Sequence, residues 1–218
     1  MNTIQVDLKK LPPDVREWVN FEIAVSNASD VAVKLLNKKQ IPVDSIRCAG
    51  YFSDHDDELV VAAAVAQSEL VPIMVHESCH RDQYTVNISL WNKKIVLDGE
   101  KQEPLNLMHD WLANKIELKP RKLKEILVLC GHLEFDCEKR SAKKIDQFYL
   151  PINLKEYIQK ANAYVYMYPI LQHTRKWYGK GKAPFAIPAV WTKMPTDFDH
   201  DFSKVPTKIK NLILDNCY

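Results

Sequence analysis

A chain of 218 residues, 46% of them apolar, is long enough to build one sizeable core with room for a small second lobe. Its 30 basic and 28 acidic residues leave a net charge of +2, which argues against a dedicated nucleic-acid binder, since such domains carry a marked basic excess. Five cysteines, an odd number with no C-x-x-C pair, argue against a disulfide scaffold or a cysteine zinc ribbon and suit a reducing compartment. None of the five glycines stands in a G-x-G-x-x-G or P-loop arrangement, so a nucleotide-binding fold is disfavoured. The first residues lack the apolar stretch of a secretory leader, and the longest apolar run, residues 59–66, falls far short of a membrane span. The expectation is a cytoplasmic protein with no membrane partner.

Along the chain, Pro12 and Pro13 followed by Asp14 open a helix whose apolar residues recur at helical spacing to about residue 39. Asn27, Ala28, Ser29 and Asp30 mark a place where it could break in two. Two strand-like runs, 45–53 and 59–66, flank the polar tip at 54–58 and predict a hairpin. A helix over residues 68–84 follows, with Ser68 as N-cap and Pro72 tolerated near the first turn. Residues 86–102 read as irregular with some strand. Helices are expected at 103–117, at 120–146 and from 153 into the 170s. A loop-rich extension begins at about residue 178, its aromatics (Tyr178, Phe185, Trp191, Phe198, Phe202) set among prolines, glycines and charges, and a short helix closes the chain. The reading is a single domain over 1–218, α+β and mostly helical, with a short antiparallel sheet or hairpin packed on the helix at 68–84.

His76-Glu77-Ser78-Cys79-His80 matches H-E-x-x-H. On a helix, residues four apart project about 40° from each other, so both imidazoles can reach one ion. Glu77 lies beside them, where its carboxylate can take a proton from a water that the metal has acidified. A catalytic zinc site needs a third protein ligand and an open position. That ligand is not the histidine of the longer H-E-x-x-H-x-x-G-x-x-H motif, because Gln83 and Val86 occupy the positions of its glycine and third histidine.

The helix at 120–146 offers another donor. Advanced at about 100° per residue from Leu123, its residues Leu127, Cys130, Cys137, Ser141 and Ile145 form one apolar stripe. Glu134 falls about 20° from Leu123, within that stripe. A carboxylate on an apolar face should be neutralised, paired or bound to a metal. Glu138, one turn later, can accept a hydrogen bond from the free ring nitrogen of a liganding histidine.

H-E-S-C-H followed far downstream by Glu134-x-x-x-Glu138 resembles the gluzincin pattern, H-E-x-x-H with E-x-x-x-D on a second helix. The usual Asn before the ligand glutamate is Leu133 here, and Glu138 stands where the second carboxylate is usually Asp. The string from Glu134 to Arg140 also looks like small uncharacterised zincins of tailed bacteriophages. The H-E-x-C-H form is similar to that of SprT-like proteases too, but their following H-G motif is absent. The gluzincin resemblance implies a zincin-like fold and a zinc metallopeptidase whose metal is held by His76, His80 and Glu134, with Glu77 as general base. It also implies an edge strand that pairs with substrate, looked for in residues 59–66, and an oxyanion donor, for which one of Tyr164, Tyr166 and Tyr168, foremost Tyr166, or else His173 is a candidate.

Plainer readings stand beside these. The two histidines can be ordinary helix residues, Glu134 can be a buried partner of Arg81 or Arg140, and Cys79 can be a small packed hydrophobe. Asp82 and Gln83 read as a solvated helix end, with Asp82 able to orient an imidazole. The basic, aromatic run at 173–182 reads as a solvated helix end and loop before it reads as a phosphate patch. The alternative function is a non-catalytic zincin-fold module that binds a protein or nucleic-acid partner, docking through the aromatic segment after Trp177.

Overall fold

The computed structural model describes residues 1–43 and 46–218, the side chain of Ile46 excepted. The chain is α+β, about 53% helical with small sheets. It forms two compact units: residues 1–88 with 140–152, and residues 89–139 with 153–218.

The first unit opens with β1 (Thr3–Ile4) and α1 (Pro13–Ala28). Helix α1 does not restart beyond Asn27–Asp30 as expected. Asp30 adopts φ 60°, a left-handed turn, and residues Ala32–Leu36 form strand β2 instead. The sequence AVKLL alternates buried and half-buried positions, the period of a strand rather than of a helix. Strands β3 (Ile41–Val43), β4 (Ile46–Cys48), β5 (Gly50–Ser53) and β6 (Glu58–Ala62) follow, then α2 (Gln67–Thr85). Strands β3 and β4 pair antiparallel, and Ser45, the first residue of the expected hairpin, lies outside the described residues.

The expected hairpin forms between β5 and β6, with Gly50 opposite Val61 and Phe52 opposite Leu59. The sheet order is β1-β2-β6-β5, with β2 parallel to both β1 and β6. Strand β6 is therefore central, correcting the expectation of an edge strand in 59–66; among the described residues the terminal strand beside it is β5. All five residues of β6 are buried, which explains its unbroken apolar run. Val33 and Leu35 pair with Leu59 and Val61 on one face, and all four are fully buried. On the other face, Tyr51 donates to Glu58 at 2.7 Å and Lys34 forms an ion pair with the same carboxylate.

The second unit begins with the hairpin β7 (Ile95–Leu97) and β8 (Glu100–Gln102), turned by Asp98 and Gly99, both at positive φ. Helix α3 (Pro104–Leu112) stops about a turn short of the expected 117, and α4 (Pro120–Gln147) matches its expected span. The long helix expected from residue 153 is two, α5 (Leu154–Val165) and α6 (Met167–Thr174), meeting at Tyr166 three residues before Pro169. Short α7 (Pro188–Trp191) and α8 (Thr207–Cys217) complete the chain. Helix α4 belongs to the second unit as far as Lys139 and to the first from Arg140.

In the second unit, Leu123, Ile126, Leu127 and Cys130 of α4 pack with Leu107, Met108 and Trp111 of α3. The aromatics after Trp177 are not a displayed surface: Tyr178, Phe185, Trp191 and Phe198 pack around a core containing Phe135, Tyr166 and Phe202. Gly131 lets that core close on α4, since a Cβ there would lie 2.5 Å from the Phe202 ring. Leu123, Leu127, Cys130, Cys137, Ser141 and Ile145 of the stripe expected on α4 are buried, and Glu134 within it is half-buried.

Candidate functional site

Helix α2 carries the H-E-x-x-H motif, and it is buried on more than one face: Leu70, Val71, Met74 and Val75 are joined by Glu77, Ser78, Cys79, His80, Arg81 and Gln83. So many enclosed polar groups need partners. Arg81, 1% exposed, donates to the Glu22 carbonyl at 3.1 Å, the Ser26 hydroxyl at 2.7 Å and the Glu22 carboxylate at 2.9 Å, all on α1. It also binds the Asp82 carboxylate through Nε at 3.0 Å and Nη2 at 2.5 Å. Lys144, in the last turn of α4 and inside the same unit, reaches Glu22 at 3.0 Å, Asp82 at 2.8 Å and the Ser78 hydroxyl at 2.9 Å.

Burial works against both charges of the Asp82–Lys144 pair, but the surrounding ions outweigh it. Lys144 and Arg81 together bring the Asp82 carboxyl below its ordinary value. Cys79, Glu22 and Asp82 raise the Lys144 ammonium. This network holds α1, α2 and the end of α4 together and fixes the rotation of α2 about its own axis.

That rotation directs the two histidines at each other. Nε2 of His76 and Nε2 of His80 lie 3.1 Å apart, with the rings edge to face at 4.7 Å between centroids. Two nitrogens each about 2.0–2.1 Å from one tetrahedral zinc would be about 3.3 Å apart, so the pair fits a shared ion. His80 is oriented from its other side, where Nδ1 lies 2.8 Å from Oε1 of Gln83. The expectation for this helix end is thus reversed: Gln83 is fully buried against an imidazole, and Asp82 serves the ion network.

Glu77 is 8% exposed and lies beside the terminal strand β5. A Cβ on Gly50 would lie 2.9 Å from Cγ of Glu77 and 2.9 Å from Cγ2 of Ile73, so only glycine lets strand and helix approach this closely. On the neighbouring β4, burial and then the Glu77 charge push the Cys48 thiol up.

The remaining predicted residues lie in the second unit. Glu134 is half-buried, and its charge is felt by Cys130 and Tyr168. Burial first and Glu134 second push the Cys130 thiol up to about 12. They also raise the fully enclosed Tyr168, whose hydroxyl lies 3.0 Å from that of Tyr164. Glu138 accepts a 2.5 Å hydrogen bond from Tyr157. Of the candidate oxyanion donors, Tyr166 and His173 are elsewhere in this unit. Tyr166 stacks on His200 at 5.4 Å, raised by burial and by Asp197 and Asp201. Burial first and then the Lys210 ammonium, 3.1 Å away, lower the pKa of His173.

Sequence reasoning missed the roles of Gln83, Gly50 and Tyr157. Gln83 was open to discovery by spacing, since a residue three after His80 shares its helix face. All five cysteines are free, and among the described residues no helix is long and apolar enough to cross a membrane. Comparison of the chain with protein-family models, with curated proteins and with solved structures finds no match in any of the three.

Proposed function

We propose that the protein is a zinc-dependent hydrolase, a metallopeptidase of the H-E-x-x-H type acting on peptides or proteins. The observation that carries this reading is the 3.1 Å approach of the His76 and His80 Nε2 atoms on a helix whose rotation is locked. Helix α4 supplies the third ligand. The gluzincin resemblance implies that this ligand is Glu134. Zinc bound there supplies Lewis acidity, lowering the pKa of a water towards about 7 and polarising a substrate carbonyl.

The protein's own groups do the rest. His76 and His80 hold the ion on α2. Glu77 takes the proton from the attacking water on its carboxylate and returns it to the leaving nitrogen. Strand β5, at the end of the described sheet and against Glu77, offers a backbone ladder to an extended peptide. Five free thiols suit a reducing, cytoplasmic setting.

Metal analysis of the purified protein together with a Glu77→Gln variant tests the reading. One zinc per chain is expected in both proteins. Casein cleavage or self-cleavage should fall at least about 10²–10⁴-fold in the variant, because glutamine keeps the shape but cannot take the proton. A wild-type protein that takes up no zinc, or a variant that cleaves as well as wild type, overturns it.

A further inference from the structure

We infer that Gln83 is a positioning residue that sets the tautomer of His80, keeping its Nε2 free of a proton and directed at a metal ion. This deepens the zinc reading above and rests on it for its consequence, though not for its geometry. His80 Nδ1 lies 2.8 Å from Oε1 of Gln83, a carbonyl oxygen that can only accept, so the proton of neutral His80 belongs on Nδ1. The lone pair is then on Nε2, the atom 3.1 Å from Nε2 of His76.

Three features make this contact directive. Gln83 is fully buried and His80 is 9% exposed, so bulk water does not compete for Nδ1. The two residues are three apart on one helix, and the acceptor therefore moves with the ring it orients. Asp82, the neighbouring acceptor, is held by Arg81 and Lys144. A neutral amide suits the position better than a carboxylate would, because it adds no further charge to an interior that already holds Glu22, Asp82, Arg81 and Lys144. Orienting groups of this kind, acting behind a liganding imidazole, change metal affinity by about 10–100-fold.

The test begins on the metal-free wild-type protein, with nitrogen-15 NMR of labelled histidines near neutral pH. His80 should show the Nδ1–H form, and a dominant Nε2–H form overturns the inference whatever the variants do. Zinc affinity is then measured by competition with a chromogenic chelator for wild type, Gln83→Leu and Gln83→Glu. Gln83→Leu should bind zinc about 10–100-fold more weakly and shift His80 towards Nε2–H, whereas Gln83→Glu, which keeps the acceptor, should restore both readouts. Equal affinity and an unchanged tautomer in Gln83→Leu refute the role. Equal loss in both variants, with a fall in melting temperature measured in chelator, assigns Gln83 to packing and also refutes it. If wild type takes up no zinc, the metallopeptidase reading fails, and the wild-type tautomer still decides the assignment of Gln83.

Discussion

Replacing Gly50 by alanine adds one methyl group where strand β5 meets helix α2. The added Cβ would lie 2.9 Å from Glu77 Cγ, 2.9 Å from Ile73 Cγ2 and 3.0 Å from the Val60 carbonyl oxygen. Ordinary carbon contacts fall at about 3.5–4.0 Å, so each of the two side chains must give by about 0.6 Å or more. The third contact is backbone of the central strand β6 and does not yield, so the methyl cannot back away from the helix. Overpacking of this kind costs about 1–3 kcal/mol, read as a lower urea midpoint for the first unit. Glu77 is the more mobile obstacle, and moving its carboxylate by most of an ångström should lower hydrolysis by up to about 10²-fold. Zinc affinity should stay within a few-fold of wild type, because the contacts that orient the imidazoles, His76 to His80 and His80 to Gln83, are not touched. A Gly50→Ala protein with both wild-type stability and wild-type cleavage would refute the placement of Glu77 against β5.

Other outcomes follow from other parts of the molecule. Gly131→Ala gains about 0.8–1 kcal/mol in helix propensity. Its Cβ meets the buried Phe202 ring at 2.5 Å, so urea unfolding should show a net loss of stability, and a midpoint at or above wild type would contradict the packing. Glu138→Ala should weaken zinc binding by about 10–100-fold in chelator competition, whereas unchanged affinity would count against a role for Glu138 behind a liganding histidine. The Asp82–Lys144 network sets two pH limits. Asp82, with its pKa lowered from 3.8, contributes stability that is present above that value and lost as pH falls through the lower folded value. Lys144, raised from 10.5, contributes stability that is present below that value and lost as pH climbs through the higher one. Thermal unfolding against pH should therefore fall at both extremes, and a Lys144→Met protein should lose the alkaline arm.

Much of the fold was legible because its signals are local. Helix α4 carries its burial in periodicity, and the β5–β6 turn is written in a polar tip between apolar runs. Strand β2 was not legible: Val31, Val33, Leu35 and Leu36 also satisfy a helical spacing. What decides for strand is the left-handed Asp30 together with pairing to Glu58–Ala62, more than twenty residues further on. The same non-local pairing makes β6 central. No pattern within residues 59–66 records that β2 will lie parallel to them.

The site divides along the same line. The motif places two imidazoles on one face, but direction around the helix axis is a tertiary property. Arg81 reaches Glu22 and Ser26 on α1, and Asp82 reaches Lys144 on α4, so residues far apart in sequence set the rotation of α2. Because those ions claim Asp82, the task of orienting His80 falls to Gln83, the next residue along. A buried ion network is a doubtful source of net stability, since desolvation costs about as much as the pairing returns. Its value here is directional. If α2 turned by even a fraction of a residue step, Arg81 would leave Glu22 and Ser26 and keep only Asp82 of its own helix, and breaking a buried ion pair costs about 3–5 kcal/mol. The rotation that brings the two Nε2 atoms to 3.1 Å is therefore set by charges on α1, α2 and the end of α4, and the cation proposed to bind between them would meet a pair whose orientation is already fixed.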